Sequence, residues 1–141
     1  LRIEKSYRLI PRELSIEYAA LESGLHKFVQ LDNRTFVGST ALSAWQSRGF
    51  RYRYVTLEVD DVGDADARGS EPIFKNNILV GRATSGNFGW RIGKSLALAL
   101  VEKEHAGIGT ELQIEILGKI HRACIIQESP FDPKNTRLRG R

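Results

Sequence analysis

At Arg51 the spacing of apolar residues changes from about 3.6 to 2, a switch that obliges the chain beyond it to fold as half-buried strands. Val55, Leu57 and Val59 alternate with Tyr54, Thr56 and Glu58. Leu96, Leu98 and Leu100 alternate with Ala97 and Ala99, and Leu112, Ile114 and Ile116 alternate with Glu111, Gln113 and Glu115. Successive side chains of a strand point to opposite faces, so each run offers one face to a core. Compact turn signals separate the runs: Asn76-Asn77 after Pro72-Ile73-Phe74, and Gly118-Lys119 before Ile120, all tolerant of positive φ. The predicted strands are Arg53–Val59, Pro72–Lys75, Ile78–Thr84, Ser95–Val101, Glu111–Leu117 and Ile120–Gln127. Such a set, with no long helix inside it, closes most economically into a Greek-key barrel or a small sandwich, because closure removes exposed edges.

Residues 1–50 read as mixed and partly helical, which places an internal boundary between 1–50 and 51–141. The clearest helix lies between Gly38 and Gly49. Ser39 or Thr40 can accept a bond from an orphan N–H as N-cap, Leu42 and Trp45 share a face, and Gly49 can take the left-handed stop. An amphipathic stretch from Ser15 to Phe28 places Leu21, Leu25 and Phe28 at helical spacings, with Gly24 interrupting it. The acidic loop Asp60 to Asp66 and the tail Asp132 to Arg141 read as solvated.

Composition narrows the class. With 141 residues, 41% of them apolar, the chain can bury a core without help from disulfides or metals. Cys124 has no partner for an internal bridge, and no signal-like segment opens the chain, which points to a reducing compartment. The longest apolar run, Leu96 to Val101, is far shorter than the roughly 20 residues of a membrane helix. The chain begins at Leu1 and lacks methionine, so we read it as a piece of a longer protein. A formal charge of +4 favours anionic partners, a carboxylate or phosphate ligand included, and argues against a dedicated nucleic-acid binder.

Several motifs invite chemistry and fail on spacing. Gly89-Trp90-Arg91-Ile92-Gly93-Lys94-Ser95 is one residue short of a nucleotide-binding loop and runs into a strand instead of a helix; it reads as the end of a glycine-rich turn from Gly86 to Gly93. Asp60, Asp64, Asp66 and Glu71 fall on a calcium-loop frame, but Val62 and Ala65 occupy positions that need a ligand and a glycine. His26, His105 and His121 lack metal-pair spacing, and His121 and Cys124 point to opposite faces of a predicted strand, where Cys124 reads as a small buried hydrophobe. Arg48, Arg51 and Arg53 interleave with Phe50, Tyr52 and Tyr54, a pattern that suits either single-stranded nucleic acid or simple packing at a helix-to-strand junction. Packing is favoured, because the stretch is short.

The opening Leu1-Arg2-Ile3-Glu4-Lys5-Ser6-Tyr7-Arg8 resembles a segment of the aminomethyltransferase family, the T-protein of the glycine cleavage system and its relatives. Its Lys5 and Tyr7-Arg8 lean toward the branch fused to dimethylglycine and sarcosine dehydrogenases. Further matches follow in the family's order: Leu21 to Leu25, Phe36-Val37-Gly38 with Ala41-Leu42, Gly81 to Gly86, Gly93 to Leu98, Gly109 to Leu112, and Pro130 to Pro133.

The resemblance implies a mainly β fold with N-terminal helices (α+β): residues 1–50 ending a folate-binding domain, then residues 51–141 as a six-stranded antiparallel Greek-key β-barrel. It implies a C-terminal part of a tetrahydrofolate-dependent one-carbon transferase, or of a dimethylglycine or sarcosine dehydrogenase-like enzyme with FAD in an upstream domain. The catalytic aspartate of relatives lies upstream of the matched segment, so no catalytic residue and no metal ligand is carried over. Arg2 matches the arginine at the family's folate site, where a guanidinium fork suits a folate carboxylate; the bland reading is a partner for Glu4 or a solvated terminus. Ile10-Pro11 replaces an aromatic-glycine pair, Thr136 stands where some members carry a folate-contacting tyrosine, and the adjacent Arg137 could reach the same carboxylate. The implied partners are folate, a small amine donor and the rest of the parent chain, in the cytoplasm or, for a eukaryote, the mitochondrial matrix. An RNA-binding module and a purely structural barrel are the alternatives.

Overall fold

A computed structural model of the protein describes residues 1–32, 35–60, 62–63 and 65–140. The predicted runs form six strands: β1 (Tyr52–Val59), β2 (Pro72–Lys75), β3 (Ile78–Gly89), β4 (Lys94–Glu102), β5 (Glu111–Ile116) and β6 (Lys119–Ile126). All pair antiparallel and close in the order β1-β4-β3-β2-β5-β6. Strands β2, β3 and β4 follow one another as hairpins while β1 returns beside β4, which is Greek-key connectivity.

Turn chemistry sets two of the hairpins. Asn76 and Asn77 both take positive φ, 51° and 63°, as a two-residue turn matched to strand twist requires. The β5–β6 turn is Leu117-Gly118 and not Gly118-Lys119: the register pairs Ile116 with Lys119, which places Leu117 at φ 49°. Strand β3 also runs five residues beyond its predicted end at Thr84, so Gly86 to Gly89 belong to a strand and only the segment after them turns. A register shift between Ala83 and Ser85 lets β3 bend around the barrel. Gly86 is needed there, because an added Cβ would collide with the backbone of Ala67, buried in the β1–β2 link.

The barrel interior is filled by Val55, Leu57 and Val59 of β1, Ile73 of β2, Leu112, Ile114 and Ile116 of β5 and Ile125 of β6. Strand β4 contributes Ala97, Ala99 and Val101 to this interior, and its leucines face the other way. Leu96, Leu98 and Leu100 lie on the outer face with Tyr54 and Ile3, covered by the N-terminal segment, and are at most 1% exposed. Strand β4 is thus apolar on both faces, and the N-terminal segment acts as a second layer.

That segment is less helical than its sequence suggests. The one α-helix among the described residues, α1 (Ser39–Arg48), begins at Gly38, which itself occupies the cap position at φ 90° with no side-chain cap bond, so neither Ser39 nor Thr40 caps it; Gly49 stops it at φ 84°. No helix forms from Ser15 to Phe28; the stretch is a series of turns ending in a short 3-10 turn, His26–Phe28. Its polar groups are committed elsewhere: Glu22 accepts from the amides of Ala19 and Tyr52, the Glu22 carbonyl accepts from the Tyr54 amide, and the Ser23 hydroxyl donates to the Glu13 carbonyl. Phe28, placed on the apolar stripe by its spacing, is exposed.

Two segments expected to be solvated are partly packed. In the acidic loop Val62 and Ala65 rest on the core, and Asp66 accepts a 2.5 Å bond from the Ser95 hydroxyl; Asp64, a member of the calcium frame, lies outside the described residues. In the tail, Phe131 and Asp132 dock on the N-terminal segment, while Arg141 lies outside the described residues.

Candidate functional site

The site grows from residues 1–7. A 3-10 turn, Ile3–Lys5, is pinned because Ile3 enters the outer cluster and Glu4, 2% exposed, accepts bonds from the amides of Arg91 (2.6 Å) and Ile92 (3.2 Å) in the β3–β4 turn. Ser6 sits at φ 52° and is fully buried; its hydroxyl lies 2.8 Å from the Thr56 hydroxyl and accepts from the Ser129 amide, and its carbonyl accepts from the Tyr54 hydroxyl. Burial, the leading cause, pushes the Tyr54 pKa well above its ordinary value, so this phenol stays a donor.

The tail completes the enclosure. The Phe131 amide donates to the Glu4 carbonyl at 3.1 Å, and the Lys5 ammonium donates to the Asp132 carbonyl at 2.6 Å and to Asn135 Oδ1 at 2.5 Å. The Asp132 carboxylate takes bonds from the Thr136 amide (2.8 Å), the Thr136 hydroxyl (2.9 Å) and the Arg137 amide (3.4 Å). Desolvation pushes the Asp132 pKa up, but the hydrogen bonds from Thr136 and from the Arg137 and Leu138 amides outweigh it and hold the carboxyl below its ordinary value. A depressed folded-state pKa means that this stabilisation is present above the unfolded value and is lost as pH falls through the lower, folded value. A carbon-13 carboxyl titration is expected to place the Asp132 midpoint below that of an ordinary exposed aspartate, with the tail opening only in more acidic solution. A midpoint at or above that value would mean the turn is not capped.

Between arm, β3–β4 turn and tail lies a cavity of about 530 Å³, lined by Leu1, Arg2, Lys5, Tyr7, Arg91, Phe131, Asp132, Arg137 and Leu138. It lies outside the barrel. Arg2 and Arg137, the two residues singled out from the sequence, both line it. Arg2 does not pair with Glu4: its Nη1 donates to the Tyr7 carbonyl at 2.8 Å and lies 3.7 Å from the buried Glu13 carboxylate. Arg137 stacks over Phe131, its guanidinium carbon 5.5 Å from the ring centre. Thr136 commits its hydroxyl to Asp132. Sequence reasoning missed Lys5, Arg91 and Phe131 at this site, since only the docking of turn and tail on the arm brings them there.

The other candidate clusters are structural. Arg51 pairs with Glu102 and stacks on Tyr52, whose edge meets Tyr18; Arg8 covers the buried Tyr54 ring at 4.0 Å. The Tyr52 and Tyr54 rings of that stretch are thus engaged by side chains of the same chain. Lys94 of the glycine-rich motif opens β4 and bonds Glu58, with no helix behind it. Cys124 is half-buried rather than buried, because it lies on the outer side of β6 while Ala123 and Ile125 face the interior.

A closed Greek-key barrel bearing a basic cavity between its N-terminal arm and its returning tail defines the class of domain. The sequence model described as the glycine cleavage T-protein C-terminal barrel domain matches residues 53–132, and the chain belongs to that family. It is 39% identical over 142 residues to the dimethylglycine dehydrogenase, mitochondrial, of Homo sapiens, covering 99% of this chain and 16% of that protein. It is 38% identical over 126 residues to an aminomethyltransferase of Desulfitobacterium hafniense, covering 89% of this chain and 34% of that protein. The crystal structure of the glycine cleavage system aminomethyltransferase T from Bartonella henselae shares the fold, with a TM-score of 0.85 at 21% identity over 94% of this chain and 37% of that one. The chain therefore spans about a sixth to a third of the length of these relatives.

Proposed function

We propose that the arm–tail cavity is one wall of a tetrahydrofolate site in a larger enzyme that handles one-carbon units, of the aminomethyltransferase or dimethylglycine dehydrogenase-like type. The observation that carries this reading is the convergence of Arg2 and Arg137, from opposite ends of the chain, on one cavity of about 530 Å³. That volume suits a small molecule, for which pockets of about 300–1,000 Å³ are usual. Folate is anionic through its carboxylates, and guanidinium forks are the side chains best matched to such groups. Leu1, Tyr7 and Phe131 supply apolar wall for the rest of such a ligand. We assign no catalytic role to any residue here; the one-carbon chemistry and, for a dehydrogenase-type parent, FAD belong to the remainder of the whole protein. The single thiol suits a reducing compartment, cytoplasm or mitochondrial matrix.

Calorimetric titration of the intact protein tests the reading. Saturable tetrahydrofolate binding is expected, weakened about tenfold in Arg2→Ala by loss of one charged hydrogen-bond donor. Unchanged affinity in that variant would remove Arg2 from the site, and a wild-type protein that binds no tetrahydrofolate would sink the proposal.

A further inference from the structure

We propose that Arg91 and Arg137, seated on the same Phe131 ring, form a two-pronged clamp for the glutamate dicarboxylate end of the ligand; this rests on the folate reading above. The guanidinium carbons of Arg91 and Arg137 lie 6.0 and 5.5 Å from the Phe131 ring centre. Both backbones are tied down by carboxylates: the Arg91 amide donates to Glu4 at 2.6 Å and the Arg137 amide to Asp132 at 3.4 Å. The ring itself is held by its own amide, which donates to the Glu4 carbonyl.

Charge balance distinguishes this pair from the other cations around the cavity. Arg2 lies 3.7 Å from Glu13, and the Lys5 ammonium 3.9 Å from the Asp132 carboxylate. Among the described residues no carboxylate lies within 4.0 Å of the Arg91 or the Arg137 guanidinium. Two guanidinium groups without a carboxylate partner among the described residues line one cavity, and an anion bound by both offsets their mutual repulsion. Stacking on Phe131 limits the rotamers of each fork before any ligand arrives, which lowers the ordering cost of binding. Two forks match two carboxylates, whereas a monocarboxylate would engage one and leave the other unbalanced.

The test uses the intact protein with tetrahydrofolate and with the primary amide of tetrahydropteroate, which keeps the pterin and aminobenzoyl groups and carries no carboxylate. Arg91→Gln and Arg137→Gln are each expected to weaken tetrahydrofolate binding about tenfold and to leave binding of the uncharged amide unchanged. Wild-type tetrahydrofolate affinity in both variants would overturn the clamp while leaving the folate site standing. An equal loss for both ligands would also overturn it, because the arginines would then act through the shape of the cavity. A wild-type protein that binds neither ligand would overturn the folate site and the clamp together, a result distinct from the other two.

Discussion

Replacing Glu13 by alanine is expected to cost about 3 kcal/mol of stability, although the residue lies in an irregular segment outside the barrel. Its side chain is completely buried, one carboxylate oxygen accepting a 2.5 Å bond from the Ser85 hydroxyl and the other a 2.8 Å bond from the Leu9 amide. Truncation leaves both donors without an acceptor. A buried donor stripped of its partner costs about 1–3 kcal/mol, and the Arg2 guanidinium loses its carboxylate in the same step. Glu13→Gln keeps the volume and one acceptor oxygen, and a loss of about 1 kcal/mol is expected, since the Ser85 hydroxyl can rotate to accept from the new amide. Urea denaturation of the intact protein, read by a probe on this domain, measures both variants. If alanine costs no more than glutamine, Glu13 does not bind the arm to β3.

The second large effect concerns Leu98, on the outer side of β4. An exposed leucine on a barrel wall could be truncated with a change within about 0.5 kcal/mol. Leu98 is fully buried in the cluster formed with Ile3, Tyr54, Leu96 and Leu100. Leu98→Ala is therefore expected to cost about 3 kcal/mol, in the range usual for a leucine inside a core. Leu57→Ala, on the interior face of β1, serves as the reference and should lose a similar amount. A Leu98 variant as stable as the wild type would show that the N-terminal segment does not cover the barrel. That result would also remove the platform on which Arg2 is presented.

Much of the barrel could be read from local pattern. Alternation is a property of neighbouring residues, and β1, β4 and β5 appear where the period is 2; of the six strands β2 matches its predicted span and β3 departs most, by five residues at its far end. Paired Asn76 and Asn77 announced a turn for the same local reason, since both tolerate the positive φ it needs. Helical spacing from Ser15 to Phe28 misled because the competing interactions are distant. Glu22 meets Tyr52, Ser23 meets the Glu13 carbonyl, and Arg8 reaches the Ser23 carbonyl and Glu128; these bonds hold the backbone in turns that no window of sequence contains.

The candidate site divides along the same line. Arg2 stood out because its neighbours form a family motif, and Arg137 because it follows Thr136. Arg91 had no such signal. It enters only because the buried Glu4 carboxylate captures the amides of the β3–β4 turn and brings that turn against the arm.

By itself the sequence determined that the chain after Arg51 is a run of two-faced strands, where most of them turn, and that it resembles the glycine cleavage T-protein family, because these depend on residues close to one another. Tertiary structure alone decided which face of β4 looks inward. A closed barrel of six strands has little room at its axis, so Ala97 and Ala99 fill it beside Leu57 and Ile114, and the larger Leu96, Leu98 and Leu100 turn outward to meet the arm. That choice gives the arm an apolar seat, and the seated arm, joined by the returning tail, places Arg2, Arg91 and Arg137 around one cavity.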